Sequence, residues 1–199
     1  MTEPQARARV RTRARPKRAT AEDRLPGDAT ADQLIARVIR VDHAGEYGAK
    51  RIYQGQLAVM SEGAAKDQVR AMAAQEEKHL VTFERALVER RVRPTVLAPL
   101  WHIAGFALGA GTALLGEKAA MACTVAVEEV IDGHYARQAE ALGDDEAGLR
   151  AAIAEARAHE LEHRDTARAA GAAETPGYGL LTQAIKAGTR VAIWLSERV

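Results

Sequence analysis

Apolar residues recur at helical spacing along most of the chain. Val69, Met72, Glu76, His79, Phe83 and Leu87 advance in steps of three or four, which puts them on one face of a helix. Leu149, Ile153, Ala156, Glu160, His163 and Ala167 repeat the pattern further on. Two shorter periodic runs precede these. Leu34, Val38 and Ile39 lead towards Glu46, behind a Thr30-x-x-Gln33 capping box. Met121, Val125, Glu128, Ile131 or Asp132, and Tyr135 mark a helix from about Glu117 to Leu142. Pro94 is expected to close the second helix, and Gly143-Asp144-Asp145 to stop the fourth element and open the fifth. Thr175-Pro176-Gly177 breaks the chain before a last amphipathic helix. Leu181, Ile185, Ala192, Leu195 and Val199 share one side of it, and Lys186, Arg190 and Glu197 another.

Charged residues within those apolar stripes give the pattern its chemistry. Glu76/His79 and Glu160/His163 are two Glu-x-x-His pairs. A single Glu precedes each, Glu46 by 30 residues and Glu128 by 32. Residues three apart share a helix face, so each pair can reach one cation. A carboxylate buried without a partner costs several kcal/mol on the order-of-magnitude scale for polar burial. Two helices giving one Glu and two giving Glu-x-x-His make a carboxylate-bridged dinuclear metal site in a four-helix bundle. Mixed oxygen and imidazole donors suit iron or manganese, whereas structural zinc favours Cys or His in a closed tetrahedron. Cys123 is the one cysteine, which excludes thiolate clusters and a disulfide framework. It is expected to act as a small buried hydrophobe.

His159-Glu160-Leu161-Glu162-His163 also fits H-E-x-x-H, the helix of zinc peptidases. That reading leaves Glu46, Glu76 and His79 unexplained and offers no third ligand. Asp42, His43 and Asp132 lie one turn from Glu46 or Glu128 and are candidates for orienting the ligands. His134 and Tyr135 are candidates for lining a substrate channel and for a catalytic role. Gln75, Glu77 and Lys78 are expected in solvent or behind the ligands, and His102 at an interface.

Between Pro94 and Gly116, 23 residues contain no Asp, Glu, Lys or Arg. The length could span a bilayer, and Gly105-x-x-x-Gly109 resembles a helix-packing motif. A span would place the two halves of the candidate site on opposite sides of the membrane. The segment is therefore read as the crossover between two helical hairpins, its apolar surface lying on a membrane face. Trp101 and Phe106 are the residues expected to meet lipid.

Composition completes the outline. The 199 residues are 47 % hydrophobic and only 4 % aromatic, with six prolines, which favours helix over sheet. A net charge of +1 argues against a nucleic-acid partner. Residues 1–28 carry Arg7, Arg9, Arg11, Arg13, Arg15, Lys17 and Arg18 and are read as a basic, disordered tail. A transit peptide is the alternative, and no secretory signal is expected, since no apolar run follows the basic start. The domain then covers residues 29–199.

The run Val41-Asp-His-Ala-Gly-Glu-Tyr-Gly-Ala49 resembles the first signature of the demethoxyubiquinone hydroxylases of ubiquinone biosynthesis. So do Arg91-Val-Arg-Pro-Thr-Val-Leu-Ala-Pro-Leu-Trp101, the glycine-rich run from Gly105 to Gly116, Ala122-Cys-Thr-Val-Ala-Val-Glu-Glu129, Glu160-Leu-Glu-His163 and Arg190-Val-Ala-Ile-Trp-Leu-Ser-Glu-Arg198. The similarity runs from about residue 34 to the end. It implies an all-α, ferritin-like four-helix bundle with a long apolar crossover helix and an extra C-terminal amphipathic helix. It also implies two irons per chain, held by Glu46, Glu76, His79, Glu128, Glu160 and His163. The implied reaction is hydroxylation of a polyprenylated methoxy-methyl-benzoquinol with O2, in the penultimate step towards ubiquinol, with NADH as electron donor. A peripheral position on the cytoplasmic face of a bacterial inner membrane is expected, or on the matrix face of the mitochondrial one. Residues 94–116 and 180–199 would touch the membrane, and other quinone-biosynthesis proteins are expected partners. A rubrerythrin-like peroxidase, an iron-storage bundle and a membrane scaffold are the competing classes. The first lacks its Cys-x-x-Cys module here, and the second suits an uncharged stretch poorly.

Overall fold

The computed structural model describes Leu25 and residues 27–199. The basic segment read as a tail lies almost wholly outside the described residues. Six α-helices follow: α1 (Ala31–Val59), α2 (Ala64–Glu89), α3 (Ala98–Leu114), α4 (Glu117–Ala141), α5 (Ala147–Ala169) and α6 (Tyr178–Ser196). There is no strand among the described residues.

Local signals set most boundaries. Thr30 caps α1 through Gln33, and the Gln33 side chain accepts from the Thr30 amide, so the box forms as expected. The helix α2 ends at Glu89, five residues before Pro94, and not at the proline. The stop is Arg91, whose φ of 53° lies in the left-handed region. One turn of 3₁₀ helix, Asp144–Glu146, leads into α5.

Helices α1, α2, α4 and α5 form the bundle, and α3 crosses between the hairpins. The core is layered. At one end Ile39, Phe83, Tyr135, Leu142 and Ile153 pack together. At the other end Met60, Val69, Met72, Met121 and Val125 do so. Glu46, Glu76, Glu128 and Glu160 fall between these layers on their helices, and all are buried. The fold thus brackets a polar layer with apolar ones, which excludes water from it.

The crossover meets α1 at backbone distance. An added Cβ at Gly109 would stand 1.9 Å from the Ile52 carbonyl oxygen, and one at Gly55 would stand 2.2 Å from that of Phe106. The Gly105-x-x-x-Gly109 motif therefore serves contact with α1 within the chain. Trp101 and Phe106 do not make the outward surface expected of them. The Trp101 indole donates to Ser196 Oγ at 3.0 Å, and Phe106 lies under the Arg51 guanidinium. The outward residues are instead Val96, Leu100, Ile103 and Leu114 on or beside α3, with Leu180, Val191 and Trp194 on α6. None of the described helices is long and apolar enough to cross a membrane.

Candidate metal centre

All six residues singled out by spacing converge. Glu46, Glu76, His79 and Glu160 form one group, and Glu76, Glu128, Glu160 and His163 a second. Within each group one candidate ligand atom per residue lies within 4.8 Å of the others. Glu76 and Glu160 belong to both groups. His79 Nδ1 is 3.3 Å from Glu46 Oε2 and 3.7 Å from Glu160 Oε1. His163 Nδ1 is 3.1 Å from Glu76 Oε1 and 3.3 Å from Glu160 Oε2.

Satisfaction of polar atoms tests whether these residues fit cations. Both oxygens of Glu76, one oxygen each of Glu46, Glu128 and Glu160, and Nδ1 of both histidines are buried with no hydrogen-bond partner among the described residues. Such a set is unstable by itself. Burial, then the charges of neighbouring carboxylates, pushes Glu76 well above the usual carboxylate range. The same causes raise Glu128. Burial opposes charge on His79, yet the facing Glu160 and Glu46 carboxylates raise it to about 10. The pocket wants positive charge. Two divalent cations would balance the four carboxylates and use the unpartnered atoms, so the donor set fits a dinuclear centre.

Contacts behind the cluster run from one hairpin to the other. Tyr53 on α1 donates to Glu128 Oε1 at 2.9 Å, and Tyr135 on α4 donates to Glu46. Burial and the adjacent carboxylates raise both phenols, which keeps them protonated as donors. Each tyrosine follows its own helix's Glu by seven residues, and a glutamine follows three later, Gln56 and Gln138. Gln56 donates to the Ala120 carbonyl at 3.0 Å, and Gln138 to Asp42 Oδ1 at 2.7 Å. Neither Tyr53 nor these glutamines stood out in the sequence, though the twice-occurring E-x6-Y-x2-Q was there to find. His163 Nε2 lies 2.6 Å from Gln75 Oε1, and His79 Nε2 lies 2.8 Å from His159 Nδ1.

The remaining candidates divide. Asp42 is buried beside Gln138, and burial raises its carboxyl well above the usual range. His134 is 2.9 Å from Gln138 Nε2, and burial lowers it to about 4, so it is neutral. It lines a cleft beside Arg37, Arg137 and Glu197. Asp132 pairs with Arg157 at 2.6 Å and does not touch a candidate ligand. His43 is half-buried, with its Nδ1 unpartnered. His102, exposed on α3, contacts the Tyr47 hydroxyl at 2.6 Å. Cys123 is buried, its thiol pushed up to about 12 by burial.

Known proteins are similar to this chain. The profile of the family described as ubiquinone biosynthesis protein COQ7 matches residues 33–196. The chain belongs to the COQ7 family. It is 62 % identical to the 3-demethoxyubiquinol 3-hydroxylase of Rhodospirillum rubrum, over 92 % of this chain and 86 % of that protein. It is 49 % identical to the human mitochondrial NADPH-dependent 3-demethoxyubiquinone 3-hydroxylase, over 86 % of this chain and 81 % of the other. The Saccharomyces cerevisiae 5-demethoxyubiquinone hydroxylase is 42 % identical, over 83 % and 78 %. The bundle with its crossover is thus the ferritin-like fold of COQ7 proteins, and the Glu/His cluster is compatible with their metal chemistry.

Beside the cluster lies a second feature of the COQ7 chain. An apolar cavity of about 600 Å³ opens between α1, α3, α4 and α6, lined by Gly45, Gly48, Trp101, Gly105, Leu108 and Ile185 among others. Ala49, Ile52 and Val127 form part of its wall and also line a narrow crevice that reaches Tyr53 and Glu128.

Proposed function

We infer that this protein is a 3-demethoxyubiquinol 3-hydroxylase, a di-iron monooxygenase of ubiquinone biosynthesis. The observation that carries the metal assignment is the membership of Glu76 and Glu160 in both ligand groups. Those two carboxylates would be shared by both cations, with Glu46 and His79 completing one site and Glu128 and His163 the other. The zinc-peptidase alternative would use His159 as a ligand, but its Nδ1 is spent on His79 Nε2, outside the carboxylate cluster.

The substrate is a polyprenylated methoxy-methyl-benzoquinol. A ring C–H becomes C–OH with one atom of O2, and the other atom leaves as water with two electrons and two protons from a donor. Iron held by Glu46, Glu76, His79, Glu128, Glu160 and His163 would supply the reducing chemistry that activates O2. The chain's own residues supply the setting. Tyr53 and Tyr135 hold the terminal carboxylates, Glu128 and Glu46, by hydrogen bonds from the opposite hairpin. The apolar layers keep water out, which strengthens every charge interaction inside. His134 and Tyr135 remain the candidates for a direct part in the chemistry. Tyr135 stands against Glu46, and neutral His134 ends the polar run from Asp42 through Gln138.

Apolar access fits this substrate. The 600 Å³ cavity receives the ring end of the quinol, and Ala49, Ile52 and Val127 part to admit the ring towards Glu128. The prenyl tail stays in lipid. The exposed apolar faces of α3 and α6 rest on the membrane, on the cytoplasmic side of a bacterial inner membrane, as peripheral contacts. The donor is a reduced nicotinamide dinucleotide. The resemblance implies NADH, while the human relative is named for its dependence on NADPH. Contacts with other quinone-biosynthesis proteins would use the same side of the molecule.

The deciding experiment loads metal-free protein anaerobically with Fe(II), adds a demethoxyquinol and admits ¹⁸O2. One labelled oxygen in the product is expected. Glu128→Ala is the control, and undiminished turnover in that variant would remove Glu128 from the ligand set.

A further inference from the structure

A neutral imidazole has one N–H and one lone pair, and a cation needs the lone pair. Both histidines of the cluster present the same nitrogen inward. His79 Nδ1 faces Glu46 and Glu160, and His163 Nδ1 faces Glu76 and Glu160. Both turn Nε2 outward onto a side chain of the facing helix. His163 on α5 meets Gln75 of α2 at 2.6 Å, and His79 on α2 meets His159 of α5 at 2.8 Å. The His79 and His159 rings are nearly parallel, 8° apart.

The two outer residues hold one register. Gln75 immediately precedes Glu76, and His159 immediately precedes Glu160. Each therefore sits beside a bridging carboxylate of its own helix and reaches across to the histidine of the other. We propose that Gln75 and His159 are positioning residues that accept the Nε2–H of His163 and His79, and so fix the tautomer and ring orientation that aim Nδ1 at the cations. This rests on the metal reading above. An amide oxygen can only accept, so Gln75 holds His163 in the Nε2–H form. His159 Nδ1 does the same for His79 when its own proton is on Nε2. A partner of this kind also makes the inner nitrogen a better donor. Both outer residues are half-buried, and water at those places cannot impose one orientation as a fixed side chain does.

The repeat supplies its own control, because one half uses an amide where the other uses an imidazole. The test uses the full chain in two measurements, starting from metal-free protein. Anaerobic titration with Co(II), followed by its visible absorption, reads affinity. Nitrogen-15 spectra of the imidazoles after loading with Zn(II), which displaces the Nδ1 proton, read which ring nitrogen carries the remaining one. His159→Leu and Gln75→Leu should each weaken Co(II) binding roughly ten- to a hundredfold. His79 and His163, respectively, should gain a population protonated at Nδ1. His159→Gln, which puts the other half's acceptor in place, should restore both readings. Failure of the parent protein to bind Co(II) would sink the metal reading itself. Tight binding by the parent and equally by both leucine variants, with Nε2–H unchanged, would overturn the positioning proposal alone. A His159→Gln variant as weak as His159→Leu would overturn it for His159.

Discussion

Helices α1 and α4 share an inner face and differ on the outer one. Moving 82 residues along the chain carries Glu46, Tyr53 and Gln56 onto Glu128, Tyr135 and Gln138. The same shift carries Gly45, Gly48 and Gly55 onto Val127, Val130 and Arg137. The inner residues face the cluster and each other. The glycines let α3 lie on α1 at backbone distance and leave room for the apolar cavity. One helix is therefore both a ligand helix and the floor of an entry. The other is a ligand helix packed with valine. The cluster draws on both helices alike, whereas only α1 meets the crossover at backbone distance beside the cavity.

The sharpest way to break this comparison is through the carboxylates common to both groups. Glu76→Ala or Glu160→Ala should abolish hydroxylation and leave iron substoichiometric, measured by metal analysis after anaerobic loading. Glu46→Ala and Glu128→Ala should each retain about one ion, because each touches one group only. Equal losses in all four variants would end the bridging assignment.

The outer face comes next. Gly55→Ala forces a Cβ against the Phe106 backbone and should cost about 3 kcal/mol, roughly 10 °C in Tm, by thermal melting. Gly48→Leu meets no atom within 4 Å and projects into the cavity. It should leave Tm nearly unchanged and raise KM for a long-chain quinol roughly tenfold. An unchanged KM would take the cavity out of the substrate path.

Smaller effects separate the tyrosines. Tyr53→Phe and Tyr135→Phe each remove one hydrogen bond to a carboxylate, worth about 1.5–3 kcal/mol. Similar losses of iron affinity from the two would uphold the repeat, and a null effect from either would confine positioning to one half. The last test is pH. Folded metal-free protein holds Glu76 and Glu128 above their unfolded values, so the stability they contribute is present at low pH and lost as they ionise. His79, raised to about 10, acts in the same direction, with stability present below about 6.5 and lost towards 10. The Tm of metal-free protein should fall from pH 5.5 to pH 9, and iron-loaded protein should show a flatter profile, by differential scanning calorimetry.

The six cluster residues and the bundle were legible because a buried carboxylate on an apolar stripe is conspicuous in one dimension. Periodicity also set the hairpins and the crossover. The end of α2 was not, since Arg91 carries the left-handed turn without a glycine to announce it. Nor were the true outward residues of α3. That segment is apolar all round, so no polar face marks which side meets α1, and Trp101 turns towards Ser196 instead of outward. Tyr53 reaches across the bundle to Glu128, and spacing within a helix says nothing about a partner 75 residues away; Gln75 was expected in solvent or behind the ligands, but its contact with His163 was not readable. Asp132 shows the converse. It stands one turn from Glu128, but an arginine from α5 claims it.

The crossover has a consequence for how such a protein can change. In a dimer of identical hairpins, every substitution would strike two places at once, and any asymmetric arrangement would be out of reach. Covalent joining through α3 lifts that constraint. Positions 75 and 159 could then settle on different residues, and one flank could open to an oily molecule while its mirror image stayed shut.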